Sequence, residues 1–246
     1  MSIGLTTVVL FAVFGILLFL SCPISVSIII ASIVTAVSSL SWDQITFITM
    51  QKMNSGVESF SLLAIPLFIL AGNIMNNGGI ARRLVNFSKL FVGWIPGSLA
   101  QANIVGNMLF GALSGSSVAA ASAMGGCIYP IQIYAKKHKY PTSGKTPMKE
   151  AIKVTLDAIP SLLLIIFVIG GIVGGIFTAT EGAGICVLYC LILSICYRSI
   201  TVKSFMKILV SSACTSGIIL FLISASSAMS FVMAYSGIPA AISTGI

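Results

Sequence analysis

Apolar runs of membrane-crossing length recur along almost the whole chain, and they limit what it can fold into more than any other feature. Inside a bilayer no water is available to backbone N–H and C=O groups, so a crossing segment must satisfy them internally as a helix or in a closed barrel. Long continuous runs, rather than short alternating ones, select the helix. The composition agrees: of 246 residues 57% are hydrophobic and 7% charged, with 23 glycines and a mean hydropathy of +1.10. No ordinary soluble domain shows that balance. The expected fold class is all-α, a polytopic transmembrane helical protein.

Breakers divide the runs. Residues 3–21 read as a first span, Cys22-Pro23 ends it, and a second runs to about Ser39, each near the roughly 20 residues a bilayer requires. The N-terminus lacks a basic n-region, so the first run reads as a retained span rather than a cleaved signal. Residues 40–58, with Trp42, Asp43, Lys52 and Glu58, are mixed enough to lie in the interface, with Trp42 as headgroup anchor. A third span covers 59–75, where Pro66 predicts a kink. In 81–91 the apolar Leu84, Phe87, Leu90 and Phe91 recur at helical spacing among Arg82, Arg83 and Lys89, which predicts a helix lying flat in the interface. After a hydrophilic loop around Lys136 to Pro147, two more spans cover 159–177 and 182–197, joined at Thr178-Ala179-Thr180-Glu181. Arg198, Lys203 and Lys207 then lead into a last apolar run.

The net charge of +8 comes from 13 basic residues against 5 acidic ones. Most of the basic residues sit in three short connecting segments, the pattern of positive-inside loops, so the expected partner is the lipid bilayer and not nucleic acid. His138, inside a lysine run, reads as a solvated side chain rather than a proton relay. The cysteines Cys22, Cys127, Cys186, Cys190, Cys196 and Cys214 fall in or beside apolar runs and read as packing residues. Cys186 and Cys190 share a helix face, yet no histidine or carboxylate joins them as a metal site would need.

Two polar knots interrupt this pattern: Ser114-Gly115-Ser116-Ser117 and Ser224-Ala225-Ser226-Ser227. Hydroxyls and freed backbone groups are costly at membrane depth, so such knots read as the lining of a cavity. The twelve residues from Val118 to Tyr129 reach only about 18 Å at 1.5 Å per residue, short of a core about 30 Å thick. That predicts a re-entrant hairpin turning at Ser114–Ser117, and by analogy a second at the later knot. The order acidic residue, span, basic stretch and knot occurs twice, so an internal repeat is expected: residues 1–132 as the first repeat, 133–153 as a basic loop and 154–246 as a partial second repeat. Paired broken elements of this kind build the midplane site of secondary transporters. Serine and carbonyl oxygens suit a hard cation such as sodium, with Gly115 allowing the turn, and restarting helix N-termini suit an anion. The candidate sodium and substrate residues are Ser114, Gly115, Ser116, Ser117, Ser224, Ser226 and Ser227. Enzymes are disfavoured: the serines have no activating base nearby, and no nucleophile elbow or phosphate loop is present.

Four stretches carry a family resemblance. Ser61-Leu62-Leu63-Ala64-Ile65-Pro66-Leu67-Phe68-Ile69-Leu70-Ala71-Gly72-Asn73-Ile74-Met75 with Asn77-Gly78-Gly79-Ile80 closely resembles the large membrane subunit of the tripartite ATP-independent periplasmic (TRAP) transporters, the DctM-like permeases. Gly111 to Ala119 resembles that family's first hairpin tip, and Gly175 to Glu181 and Tyr235 to Pro239 resemble two later segments. The resemblance implies sodium-coupled import of organic acid anions such as C4-dicarboxylates or sialic acid across the bacterial inner membrane. It implies a small TRAP membrane subunit and a periplasmic solute-binding protein as partners, no cofactor other than sodium as coupling ion, and an elevator movement of a domain carrying both hairpins. Ser114 and Ser116 match hairpin positions associated with sodium and substrate; Ser224, Ser226 and Ser227 match more loosely. The sequence departs from the family after Gln132, where a broken helix and a span are missing, and beyond the second knot, so an internally deleted, truncated permease is expected. Placing the basic segments in the cytoplasm puts the N-terminus outside, whereas hairpins entering from opposite faces require inverted repeats; the residues leave both open.

Overall fold

A computed structural model describes residues 3–38, 40–92 and 147–244, and its regular structure there is helical throughout. The chain is an all-α, polytopic membrane protein. Four helical stretches are long and apolar enough to cross a bilayer, Phe60–Asn77, Glu150–Val173, Ala179–Cys196 and Val202–Tyr235, and two apolar helices are shorter. The chain forms two compact units, Met1–Leu62 with Cys214–Ile246, and Leu63–Ala213.

The first unit holds α1 (Ile3–Phe19), α2 (Ile24–Ala36), α3 (Trp42–Val57), the later part of α8 (Val202–Tyr235) and α9 (Ile238–Thr244). α1 has 17 residues and α2 only 13, less than the hydropathy runs suggested. The cause is local: Ser21 takes a left-handed φ of 60° and Pro23 sets the start of α2. At 1.5 Å per residue α2 is about 20 Å long. Two of its buried hydroxyls are satisfied within the helix, Ser32 Oγ donating to the Ile28 carbonyl at 2.7 Å and Thr35 Oγ1 to Ala31 at 2.7 Å. Leu10, Ala31 and Ile238 join α1, α2 and α9 in one small core. α3 opens with the Ser41 N–H donating to Gln44 Oε1 at 3.3 Å, and buries only Ile45 while Trp42, Phe47 and Met50 stay exposed. Such a helix suits the headgroup layer.

The second unit begins at Leu63, the last residue of a 3-10 turn, and holds α4 (Ala64–Asn77), α5 (Ile80–Val92), α6 (Met148–Val173), α7 (Ala179–Cys196) and the start of α8. Its core packs Ile74 and Met75 of α4, Ile80 and Leu84 of α5, Leu164 of α6, and Cys186 with Cys190 of α7. Both cysteines are free and fully buried, as packing residues should be. Pro66 is the third residue of α4, just after the 3-10 turn, where its missing N–H has no α-helical partner within α4 to lose. The interior proline is Pro160 in α6, whose carbonyl accepts from the Tyr189 hydroxyl at 3.0 Å. α5 is amphipathic as its spacing predicts; Leu84 of its stripe and the preceding Ile80 are fully buried in protein, while Phe87 and Leu90 are half-buried. α6 begins at Met148, so the last residues of the expected basic loop are helical. Between α6 and α7, Gly175 has a φ of 71°, and a side chain at Gly171 would run into the Phe177 ring. Thr178 then caps α7, its N–H and hydroxyl both donating to the Glu181 carboxylate at 2.8 Å.

Of the two expected hairpins, the first, with Ser114–Ser117 at its tip, lies outside the described residues. At the second the helix is unbroken: α8 runs 34 residues from Val202 to Tyr235 straight through Ser224–Ser227. The stretch from Ile218 to Tyr235 has neither glycine nor proline. A serine by itself does not end a helix, because its hydroxyl can bond a carbonyl one turn back.

Candidate functional site

The candidate residues that can be placed are those of the second knot, and they meet α3 within the first unit. Ser224 is 8% exposed and its Oγ donates to the Met53 carbonyl at 2.8 Å. Ser226 is exposed and donates to the Leu222 carbonyl at 2.9 Å. Ser227 is half-buried against Gly56, where an added Cβ would come within 2.6 Å of Ser227 Cβ. One turn on, Lys52 Nζ stands 5.3 Å from the centroid of the Phe231 ring, which stacks on Tyr235. The three serines thus share a short stretch of α8 but do not converge on one point: Ser224 and Ser227 face α3, and Ser226 does not.

The second unit holds polar contacts that no local pattern announced. In α4 the Asn73 amide donates to Ser212 Oγ of α8 at 2.8 Å, with Ser212 almost fully buried. The available signal was an amide inside an apolar run, which in a membrane calls for a partner. Arg83 of α5 lies with its guanidinium carbon 3.4 Å from the Tyr197 ring centroid, and its Nε is 3.0 Å from Asp157 Oδ2 of α6. The Nε–H makes no hydrogen bond, so this ion pair is Coulombic rather than directional. Gly78 abuts Ser194 and Gly79 lies beside Ser199, so α4 and α7 run parallel and finish at the same end of the unit. Among the described residues no group of three or more His, Cys, Asp or Glu side chains could hold a metal ion.

Apolar helices of bilayer length, tied by hydroxyl, amide and guanidinium contacts, define the class: a multi-pass helical protein of the membrane. Comparison then gives the family. The sequence model described as "Tripartite ATP-independent periplasmic transporter, DctM component" matches residues 11–133 and 131–246. The chain is 37% identical to the uncharacterized protein YgiK of Salmonella typhimurium, over 94% of this chain and 68% of that one. It is 28% identical to the C4-dicarboxylate TRAP transporter large permease protein DctM of Rhodobacter capsulatus (78% of this chain, 61% of that one). To the sialic acid TRAP transporter large permease protein SiaM of Vibrio cholerae it is 29% identical (77% and 60%). The chain belongs to the DctM family of TRAP transporters, a family of bacterial inner-membrane transport proteins rather than enzymes.

It spans between 60% and 68% of the length of these relatives. The alignment with YgiK extends over 297 positions, more than the 246 residues of the chain, so at least 51 of them (297 less 246) belong to YgiK alone. The two family matches meet at 131–133, the junction at which a broken helix and a span were expected to be missing.

Proposed function

We propose that the chain is the large membrane subunit of a sodium-coupled secondary transporter that imports an organic acid anion of the C4-dicarboxylate or sialic-acid class. A periplasmic solute-binding protein delivers the anion, and a small TRAP membrane subunit completes the membrane complex. The observation that carries this reading is the DctM match along nearly the whole chain, joined to the names of relatives that handle C4-dicarboxylates, sialic acid and 2,3-diketo-L-gulonate. All three are carboxylates. Ser114 and Ser116 supply hydroxyl oxygens to sodium, a hard cation, while Gly115 and Ser117 shape the turn that presents them. Ser224, Ser226 and Ser227 are left out of this site, because Ser224 already donates to Met53 and the helix around them is unbroken.

A second reading, a non-transporting membrane fragment or scaffold derived from such a permease, is favoured by the positions that YgiK has and this chain lacks. A coordination shell needs several oxygens from convergent elements, and a missing helix removes some of them. The two readings separate in proteoliposomes holding the chain with a cognate small subunit and binding protein. Under the first, an inward sodium gradient drives accumulation of labelled succinate or sialic acid, and a potassium gradient does not. Ser114→Ala or Ser116→Ala then raises the sodium needed for half-maximal uptake about tenfold, equivalent to about 1.4 kcal/mol. A chain that inserts and retains the small subunit, yet takes up neither anion with sodium, is the scaffold.

A further inference from the structure

We propose that the second serine knot is a helix seat: Ser224 and Ser227 of α8 hold the interfacial helix α3 in place, with Gly56 as the matching hollow. Independent contacts meet here. Ser224, nearly buried, donates to the Met53 carbonyl at 2.8 Å. That carbonyl also accepts the helical bond from Val57 expected in the last turn of α3, so the serine adds to the helix rather than breaking it. Gly56 has no space for a side chain, since a Cβ there would lie 2.6 Å from Ser227 Cβ, closer still to its Oγ, and 3.7 Å from Ser224 Cα. Small residues facing each other in this way let two helix backbones approach closely.

The contact continues along both helices. Passing back along α3 from Gly56 to Lys52 and Ile45 leads forward along α8 from Ser227 to Phe231 and Val232: Lys52 lies over Phe231, and Ile45 shares a buried cluster with Val232 and Ala36. α3 therefore runs antiparallel to α8 on a seat with a polar end at Ser224 and an apolar end at Val232. An amphipathic helix with only Ile45 buried has little apolar grip of its own, and a hydrogen bond with a close backbone approach supplies it. This assignment does not depend on whether the chain transports anything, because it concerns how α3 is fixed.

The test uses the full chain in detergent and in membranes. Gly56→Ala lowers the apparent melting temperature by several degrees, and the same substitution made in a Ser227→Gly background has no further effect, since the atoms it strikes are gone. An equal loss in both backgrounds overturns the seat. Should Gly56→Ala fail to express, labelling decides: with the native cysteines replaced, a cysteine at 224 reacts slowly with a membrane-impermeant maleimide and one at 226 quickly. Ser224→Cys carries that readout with the α3 contact otherwise intact. Sodium leaves both rates unchanged under the seat. Sodium-dependent protection at 224 would make the knot a ligand site and would overturn the proposal.

Discussion

At the scale of single residues, Arg83 does most to show how charge is managed in this chain. Its side chain is 24% exposed and that of Asp157 56% exposed, so their attraction is screened by water and contributes only modestly. The flat stack on Tyr197 at 3.4 Å is different in kind, because dispersion and the ring quadrupole survive where a partly solvated ion pair fades. Asp157→Asn is thus expected to cost less than about 1 kcal/mol. Arg83→Ala should cost about 1–2 kcal/mol, losing the stack and the packing of the side-chain stem. Arg83→Lys should fall between, since an ammonium cannot stack as a planar guanidinium does. Denaturant titration of the purified chain in detergent, followed by tryptophan fluorescence, ranks the three; a loss at Asp157 as large as that at Arg83 would mean that the ion pair dominates. Nothing in the sequence around Arg83 announces this arrangement, since its partners lie on α6 and just past α7 and only folding brings them together.

At the scale of elements, periodicity carried most of the information. The stripe of Leu84, Phe87, Leu90 and Phe91 marked α5, because an amphipathic face repeats every turn whatever it packs against, whereas the mixed residues 40–58 were read only as interfacial and their helix, α3, was not foreseen. The pattern did not say what that face meets: Leu84, with Ile80 just before the stripe, packs into the protein core, while Phe87 and Leu90 are half-buried. The second hairpin was misread for a related reason. A serine cluster in an apolar run has the same composition whether it ends a helix or seats one, and only backbone chemistry separates the cases. Ser114–Ser117 contains a glycine, and Ser224–Ser227 does not. The Asn73 to Ser212 bond tests how firmly polar pairs tie such elements. A double-mutant cycle with Asn73→Ala and Ser212→Ala should give a coupling of about 1 kcal/mol, the size seen for hydrogen bonds between membrane helices. A coupling indistinguishable from zero would leave α4 and α8 held there by packing alone.

For the molecule as a whole, the second unit bears on orientation, which the distribution of charge alone left open. Gly78 against Ser194, Gly79 beside Ser199, and Arg83 on Tyr197 bring the end of α4, the start of α5 and the end of α7 together. Arg83, Arg198 and the first residues of α8, including Lys203, therefore lie toward one end of the unit, while the turn at Gly174 to Thr178 lies at the other. Inverted repeats would set α4 and α7, the corresponding spans of the proposed duplication, antiparallel; they run parallel instead. Basic residues gathered at one end are the positive-inside signature, so that end is expected to face the cytoplasm. Cysteines introduced singly at Asn77, Lys203 and Ile176, all exposed positions, make this measurable in oriented inner-membrane vesicles. Asn77→Cys and Lys203→Cys should react with an impermeant maleimide in inside-out vesicles and stay silent in right-side-out ones. Ile176→Cys should show the reverse. Opposite sides for positions 77 and 203 would separate ends that the contacts at Gly79 and Arg83 hold together, and would restore the inverted arrangement.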